Sequence, residues 1–323
     1  MSKTRQNNNK KKKNSIRHNK TKRNKSKGGH NKPKGGFTKC SPLSERDSVG
    51  DTCLTGDILN DIKKSFNSSN PSKKIKATNP KKILKMLKTH TDCNDENCWL
   101  NALPNKNELL NSILRPKIPK EWKTNKNEWL SNFDILKVIK QYEQSNPEFE
   151  FIGPTFIDFA SYDETTDGQC VEKDLCNFDL NAYIKKGKTK IGIIFNLDKH
   201  DQSGSHWVSM FVDIEQRFIF YFNSTGEKIP KEIMQLVNKI TEQSNTIFTK
   251  GFKTHYNNLE HQRENTECGM YSLFFIISLL TGSIGGDNSH LLQNETDKVN
   301  FFTKKRIPDN DMENLRIKYF INK

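Results

Sequence analysis

The sequence predicts an α+β fold, in which a helical N-terminal region precedes a larger domain where helices flank one cluster of strands. Two observations carry this. Apolar residues between about 50 and 145 recur at helical spacing, whereas between 149 and 222 they gather into short aromatic and β-branched runs. The strand signals also follow one another without a helix between each pair, so the regular βαβ alternation of a doubly wound sheet is missing. The expected divisions are a disordered basic tail at 1–37, a helical accessory region at 38–120 and the larger domain at 121–323.

Taken in order, the chain opens with Lys, Asn, Arg, Ser and Gly, which offer too little apolar surface to offset chain entropy. Ile58, Ile62 and Phe66 then have helical spacing until the Asn70-Pro71 break. Asn79-Pro80 opens a second helix with Ile83, Leu84 and Leu87 on one face, and Leu109, Leu110, Ile113 and Leu114 mark a third, stopped by Arg115-Pro116. Asn127 is read as the cap of a helix bearing Trp129, Leu130, Phe133, Leu136, Val138 and Ile139. Phe149–Phe159 reads as a strand and turn around Gly153-Pro154, and a short helix is expected near Leu180–Ile184. Ile191–Leu197 is a nearly continuous apolar run of the central-strand kind. His206–Ile214 and Arg217–Phe222 pair as a hairpin about Glu215-Gln216. An amphipathic helix through Ile233, Leu236, Val237 and Ile240, a strand within Thr246–Tyr256 and a helix beginning at Cys268 follow. A loop is expected over Gly282–Ser289, and a last helix carries Met312, Leu315, Ile317 and Phe320.

Charge is unevenly placed. Residues 1–36 hold fourteen Lys and Arg and no acid, which accounts for +14 of the net +15 and leaves the rest near neutral. The tail is therefore read either as a nucleic-acid-binding arm acting through phosphate neutralisation or as a solubilising or targeting extension. On this reading the pI near 9.3 describes the tail and not a basic globular surface. Seven cysteines without an apolar segment at the N-terminus suggest a reducing compartment and free thiols. The longest apolar run, Tyr271–Leu280, is far shorter than the ~20 residues that span a bilayer, so no membrane partner is expected. His90, Cys93 and Cys98 supply three zinc-ligand types, one short of a structural site and loosely spaced, and plain thiols are the preferred reading. No cofactor is expected.

The chemistry gathers around Cys268. A lone cysteine between the polar stretch His261–Glu267 and the apolar run from Met270 sits at a helix mouth, where unpaired N–H groups favour a thiolate. The alternative is an ordinary cysteine at a helix start. A cysteine nucleophile needs a base, and His206, opening a strand after a flexible loop, is better placed than His200, His255, His261 or His290. Asn223 ends the neighbouring strand and can accept from the imidazole, although Asn223-Ser224-Thr225-Gly226 also reads as a simple turn. Gln262 has the chemistry of an oxyanion donor; otherwise it is a solvated loop glutamine.

The order His206-Trp207, Phe220-Tyr221-Phe222-Asn223-Ser224, Gln262 and Cys268-Gly269 resembles the SUMO-protease and adenovirus-protease-like family of cysteine peptidases, and within it the polyprotein-processing proteases of large cytoplasmic DNA viruses. The resemblance spans about 129–320. It implies a papain-like α+β catalytic domain with Cys268 as nucleophile, His206 as base, Gln262 as oxyanion donor and Asn223 as the third member. Most of the cellular family carries Asp at that last position, and its Asp shortly after Trp-Leu is Asn132 here. Trp129 and Trp207 match the two walls of the substrate channel, too narrow for side chains and so selective for Gly-Gly; Trp129 also reads as a helix-core residue. The resemblance implies cleavage of viral structural polyproteins after Gly-Gly-type sites during maturation, in the virion interior and host cytoplasm. The alternatives are deconjugation of a ubiquitin-like modifier, or a nucleic-acid-binding virion protein retaining a degenerate protease fold. Gly28-Gly29 and Gly35-Gly36 offer sites for self-processing of the tail, or are accidental linker glycines.

Overall fold

The computed structural model describes residues 39–162, 168–284 and 287–321; the basic tail and its two Gly-Gly pairs lie outside them. The N-terminal part is helical. It contains α1 (Pro42–Asp47), α2 (Gly56–Ser69), α3 (Pro80–His90), α4 (Glu96–Leu100) and α5 (Lys106–Ile113). Four of these start on a side-chain cap, from Ser41, Thr55, Asn79 and Asp95, which satisfies an N–H that the helix itself leaves unpaired. Their apolar faces close around Leu59, Ile62, Ile83, Leu87, Trp99 and Ile113, a core separate from those of the rest of the chain. Neither α1 nor α4 is foreseen from periodicity, because helices of five or six residues are too short to display it.

Next come α6 (Asn132–Ser145), β1 (Phe149–Phe156), α7 (Lys173–Cys176), α8 (Leu180–Lys185), β2 (Lys190–Asn196), β3 (Trp207–Asp213), β4 (Phe218–Phe222), α9 (Lys231–Ile247) and β5 (Lys253–Tyr256). The five strands form one mixed sheet in chain order. The outer pairs β1–β2 and β4–β5 are parallel, and β2–β3–β4 is an antiparallel meander. Period-2 alternation splits the sheet between two cores. Trp207, Phe211, Phe218, Phe220 and Phe222 face the side covered by α6, α10 (Cys268–Thr281), α11 (Glu295–Lys304) and α12 (Asp309–Tyr319). Val208, Met210, Val212, Ile219 and Tyr221 face α8 and α9. From Cys268 to Leu280, α10 is buried throughout; it is the hydrophobic axis of the domain. The accessory helices are tied to α6 by Gln141, whose amide donates to the carbonyls of Asn111 and Leu114 at 3.0 and 2.7 Å.

Several expectations are corrected. The helix expected from Asn127 begins at Asn132, because Ser131 and Asp134 form a reciprocal capping box; Trp129 and Leu130 stay in the approach to it. The expected loop at 282–289 contains a short hairpin of β6 (Ser283–Ile284) and β7 (Asp287–Leu291). The free-thiol reading fails for six of the seven cysteines. Cys40–Cys53, Cys93–Cys98 and Cys170–Cys176 are disulfides, their Cα atoms brought to 5.1, 5.4 and 6.5 Å by the fold, within bridging range. Cys268 is the free cysteine. Zinc ligation by Cys93 and Cys98 is thereby excluded, and His90 Nδ1 lies 2.8 Å from the Met86 carbonyl. Among the described residues no helix is long and apolar enough to cross a membrane.

Candidate active site

Cys268 is the first residue of α10, with Glu267 as N-cap and only 2% of its surface exposed. The helix packs beneath the start of β3, and the contact is close. A Cβ on Gly269 would meet Leu130 Cβ at 3.1 Å and the Trp207 ring at 3.4 Å, so glycine lets the helix mouth approach the β3 strand and the 129–130 segment. The Trp207 indole N–H in turn donates to the Leu130 carbonyl at 3.1 Å. These contacts bring 130, 207 and 268–269 together.

Burial pushes the Cys268 thiol above its usual value, and backbone N–H groups of Trp207, Gly269 and Cys268 itself pull the other way. The helix-mouth donors that favour a thiolate are thus opposed by burial, which the sequence does not show. The contact between Gly269 and the Trp207 ring also places the helix mouth next to the residue that follows His206. The His206 imidazole is half-buried and its Nε2 lies 2.8 Å from Asn223 Oδ1. Burial lowers its pKa, while the bond to Asn223 and the charge of Glu227 raise it. A raised thiol and a lowered imidazole both favour the neutral pair.

Asn223 follows β4 directly and is 1% exposed. Its Oδ1 also accepts from the Thr225 N–H and hydroxyl at 3.1 and 2.8 Å, which fixes the amide with its oxygen toward His206. Its backbone is clamped by Asn257, which accepts from the Asn223 N–H at 2.9 Å and donates to the Asn223 carbonyl at 2.7 Å. Gly226, at φ +75°, closes this turn where a Cβ would strike the Leu259 backbone at 2.8 Å.

Gln262 joins the same end of the sheet. Its backbone N–H donates to the Ser224 carbonyl at 2.9 Å, the Ser224 hydroxyl donates to its Oε1 at 2.7 Å, and its Nε2 donates to the Glu264 carbonyl at 2.6 Å. One N–H of the amide is thus engaged within the loop and the second is left for another acceptor. His206, Asn223 and Gln262 are linked in a chain through 223–225, with Cys268 six residues beyond Gln262. Trp207 is largely buried against Leu130 and Gly269, whereas Trp129 is 36% exposed.

Three of the rival histidines have other partners, and the side chain of His290 lies outside the described residues. His200 Nδ1 sits 2.7 Å from Asp158, His255 Nε2 2.8 Å from Glu295, and His261 is buried between the Phe302 carbonyl and the Ile307 N–H. Beneath the helix mouth lies an ion pair that the sequence reading missed. Arg316 of α12 grips both oxygens of the fully buried Glu267 at 3.1 and 2.7 Å and donates to the carbonyls of Lys126 and Glu128 at 3.2 and 3.0 Å. Its guanidinium lies 4.2 Å from the centroid of Trp122. A charged residue inside the apolar pattern of the last helix was the available signal. Among the described residues no group of His, Cys, Asp and Glu could hold a metal ion.

The model of the Ulp1 protease family, C-terminal catalytic domain, matches residues 173–323, the segment that contains His206, Asn223, Gln262 and Cys268. A protein of Acanthamoeba polyphaga mimivirus named as a thiol protease is 30% identical over 272 residues, 75% of this chain and 84% of that protein. The chain belongs to the Ulp1 protease family. It is accordingly a thiol protease, a hydrolase acting on peptide bonds. A second relative, named a SUMO-1 cysteine protease of African swine fever virus, is 26% identical over 199 residues, 59% of this chain and 67% of that one. The crystal structure of the African swine fever virus protease superposes with a TM-score of 0.56 at 22% identity, covering 89% of this chain and 97% of that chain. The Ulp1-type fold, with its mixed sheet and helical N-terminal region, is thus shared over nearly the whole of that structure.

Proposed function

We propose that Cys268 is the nucleophile, His206 its base, Asn223 the residue that orients His206, and Gln262 with the Cys268 N–H the oxyanion donors of an endopeptidase that cuts viral structural polyproteins after Gly-Gly-type sites. The observation that carries this reading is the Asn223-held imidazole one residue from Trp207, against whose ring the mouth of the Cys268 helix packs at Gly269. With Nε2 on Asn223, the imidazole keeps Nδ1 for the thiol proton. Attack of sulfur on the scissile carbonyl forms a C–S bond and an oxyanion, which Gln262 and the Cys268 N–H stabilise. His206 then gives its proton to the leaving amine, and a water activated by the same imidazole releases the acyl group and restores the thiol. Gly-Gly selectivity follows from a channel between Trp129 and Trp207 that admits backbone without side chains. The maturing virion and the host cytoplasm are the compartments this role requires, and the tail at 1–36 is proposed to hold the enzyme on nucleic acid.

Cys268→Ala is expected to abolish cleavage of a Gly-Gly-X peptide; cleavage that persists removes Cys268 from the mechanism. A second reading, deconjugation of a ubiquitin-like modifier, is favoured by the name of the African swine fever virus relative and uses the same Gly-Gly chemistry. Turnover of a ubiquitin-like conjugate measured beside that of a viral precursor peptide separates the two. Mass spectrometry of the active chain and of Cys268→Ala tests self-processing, which predicts fragments beginning at His30 or Phe37 in the active form alone.

A further inference from the structure

The near-neutral average of residues 37–323 conceals a strong segregation of charge. Between Asp61 and Asp92 there are nine lysines and no acidic residue, so the remaining residues beyond the tail are net acidic. The expectation that the globular part lacks a basic surface is therefore corrected.

The fold collects these lysines on one layer of the accessory region. After α2 the chain doubles back along it: Asn67 bonds both the N–H and the carbonyl of Ile75, Lys63 donates to the Ala77 carbonyl, and Pro80 reaches Gly56 at the start of α2. Helix α3 then runs alongside, with His90 against Phe66. Ile62, Ile75, Ile83, Leu84 and Leu87 point inward. Eight of the nine lysines are exposed, the exception being Lys63. Lys64 and Lys88 are paired with Asp61 and Asp51. Lys73, Lys74, Lys76, Lys81, Lys82 and Lys85 have no partner among the described residues, and each remains available to an anion. Lys81, Lys85 and Lys88 share one face of α3, where with Gly50 and Leu84 they line a hollow of about 300 Å³.

We infer that the α2–α3 layer binds the phosphate backbone of double-stranded nucleic acid, independently of the tail. The chemistry of the exposed residues selects this partner. Between 62 and 91 they are Lys, Ser, Thr, Asn and His, with Pro71 the one apolar exception. Such a surface has no apolar or aromatic centre to anchor a protein partner. Its one exposed ring, the His90 imidazole, is set edge-on to Phe66, so the surface has no row of rings on which unpaired bases would stack. Ammonium, hydroxyl and amide groups are the donors that hold phosphates without reading bases.

The test uses the full chain. Lys73, Lys74, Lys76, Lys81, Lys82 and Lys85 are replaced together by Gln, and binding to a labelled random-sequence duplex is followed by anisotropy across a salt series. Each phosphate-neutralising lysine contributes about one to the slope of log K against log salt, so the slope is expected to fall by about three to five. The melting temperature and cleavage of an uncharged Gly-Gly-X peptide should not change, since these ammonium groups form no ion pairs within the described residues. A slope and affinity equal to wild type would overturn the proposal and leave the tail as the sole site. Competition by poly-glutamate as effective as that by duplex at equal charge would overturn it in favour of an acidic protein partner. Preference for a single strand would also contradict it.

Discussion

Asn223→Asp tests the electrostatics of the dyad most directly. The carboxylate would stand where Asn223 Oδ1 now lies, 2.8 Å from His206 Nε2, and would inherit the Thr225 N–H and hydroxyl at 3.1 and 2.8 Å. Those donors hold the acid ionised although the site is 1% exposed. A negative charge in contact with an imidazole raises its pKa by about 1–3, worth about 1.4–4 kcal/mol in favour of imidazolium. The sign then follows. As the proposed base, His206 must be neutral to take the thiol proton, and its present environment lowers its pKa chiefly through burial. Raising it protonates the base over a wider acidic range. The acid limb of kcat/KM for a Gly-Gly-X peptide, measured over about pH 5 to 9, should move to higher pH by about one or more. On its acidic side, activity should drop by up to about tenfold for every pH unit the limb moves. On the alkaline side activity should be kept or extended, because the imidazolium that protonates the leaving amine survives to higher pH. The limbs belong to the coupled pair, so both should move together. Asn223→Ala, which removes the acceptor without adding charge, should lower kcat with no upward movement of the acid limb. An acid limb in Asn223→Asp that stays put or falls would refute the neutral-pair reasoning and the His206–Asn223 partnership with it.

Three other outcomes follow from named contacts. Thiol titration of the oxidised chain in denaturant should find one reactive cysteine, rising to seven after reduction; more than one before reduction contradicts the three disulfides. Arg316→Ala leaves Glu267 buried without its counter-charge and should cost about 3–5 kcal/mol in urea unfolding, with Glu267→Met/Arg316→Met recovering much of it. His261 is held neutral, its pKa lowered chiefly by burial from an ordinary value of 6.5. The unfolded chain therefore binds this proton first, so stability is complete above about pH 6.5 and falls as pH drops below it. Urea midpoints for wild type and His261→Gln should converge on acidification, and parallel curves would exclude His261 as a source of acid sensitivity.

What could be read from the sequence was whatever leaves a periodic or local mark. The 3.6-residue stripes gave α2, α3 and α5 close to their observed bounds and the first half of α9, and the β3–β4 hairpin is where the two apolar runs and Glu215-Gln216 put it. Position at the end of a strand marked His206 and Asn223, and the polar-to-apolar boundary marked Cys268. Other features are properties of the folded packing. The three disulfides join residues whose proximity only the fold creates, and the direction in which the Cys268 pKa moves depends on burial. The start of α6 was legible but outweighed. Asn127 and Ser131 are both good caps, and Asp134 three residues beyond Ser131 is what decides between them.

The buried Glu267–Arg316 pair is best understood through what it joins. Arg316 reaches the carbonyls of Lys126 and Glu128 on one side and the carboxylate of Glu267 on the other. Residues 126–128 lead directly to Trp129, and Glu267 is the cap of the helix that begins with Cys268. One guanidinium therefore joins the segment that leads into Trp129 to the residue that precedes Cys268. A hydrophobic pair of equal volume could match the stability, since buried ion pairs often only balance their desolvation cost. It could not accept or donate the directed bonds that hold both segments in register. If that is the reason for the pair, Glu267→Met/Arg316→Met should fold well yet lose peptidase activity through KM and kcat together, because the segment leading to Trp129, the proposed channel wall, and the proposed nucleophile Cys268 would no longer be held to one another. Full activity in a stable double variant would reduce the pair to a packing element.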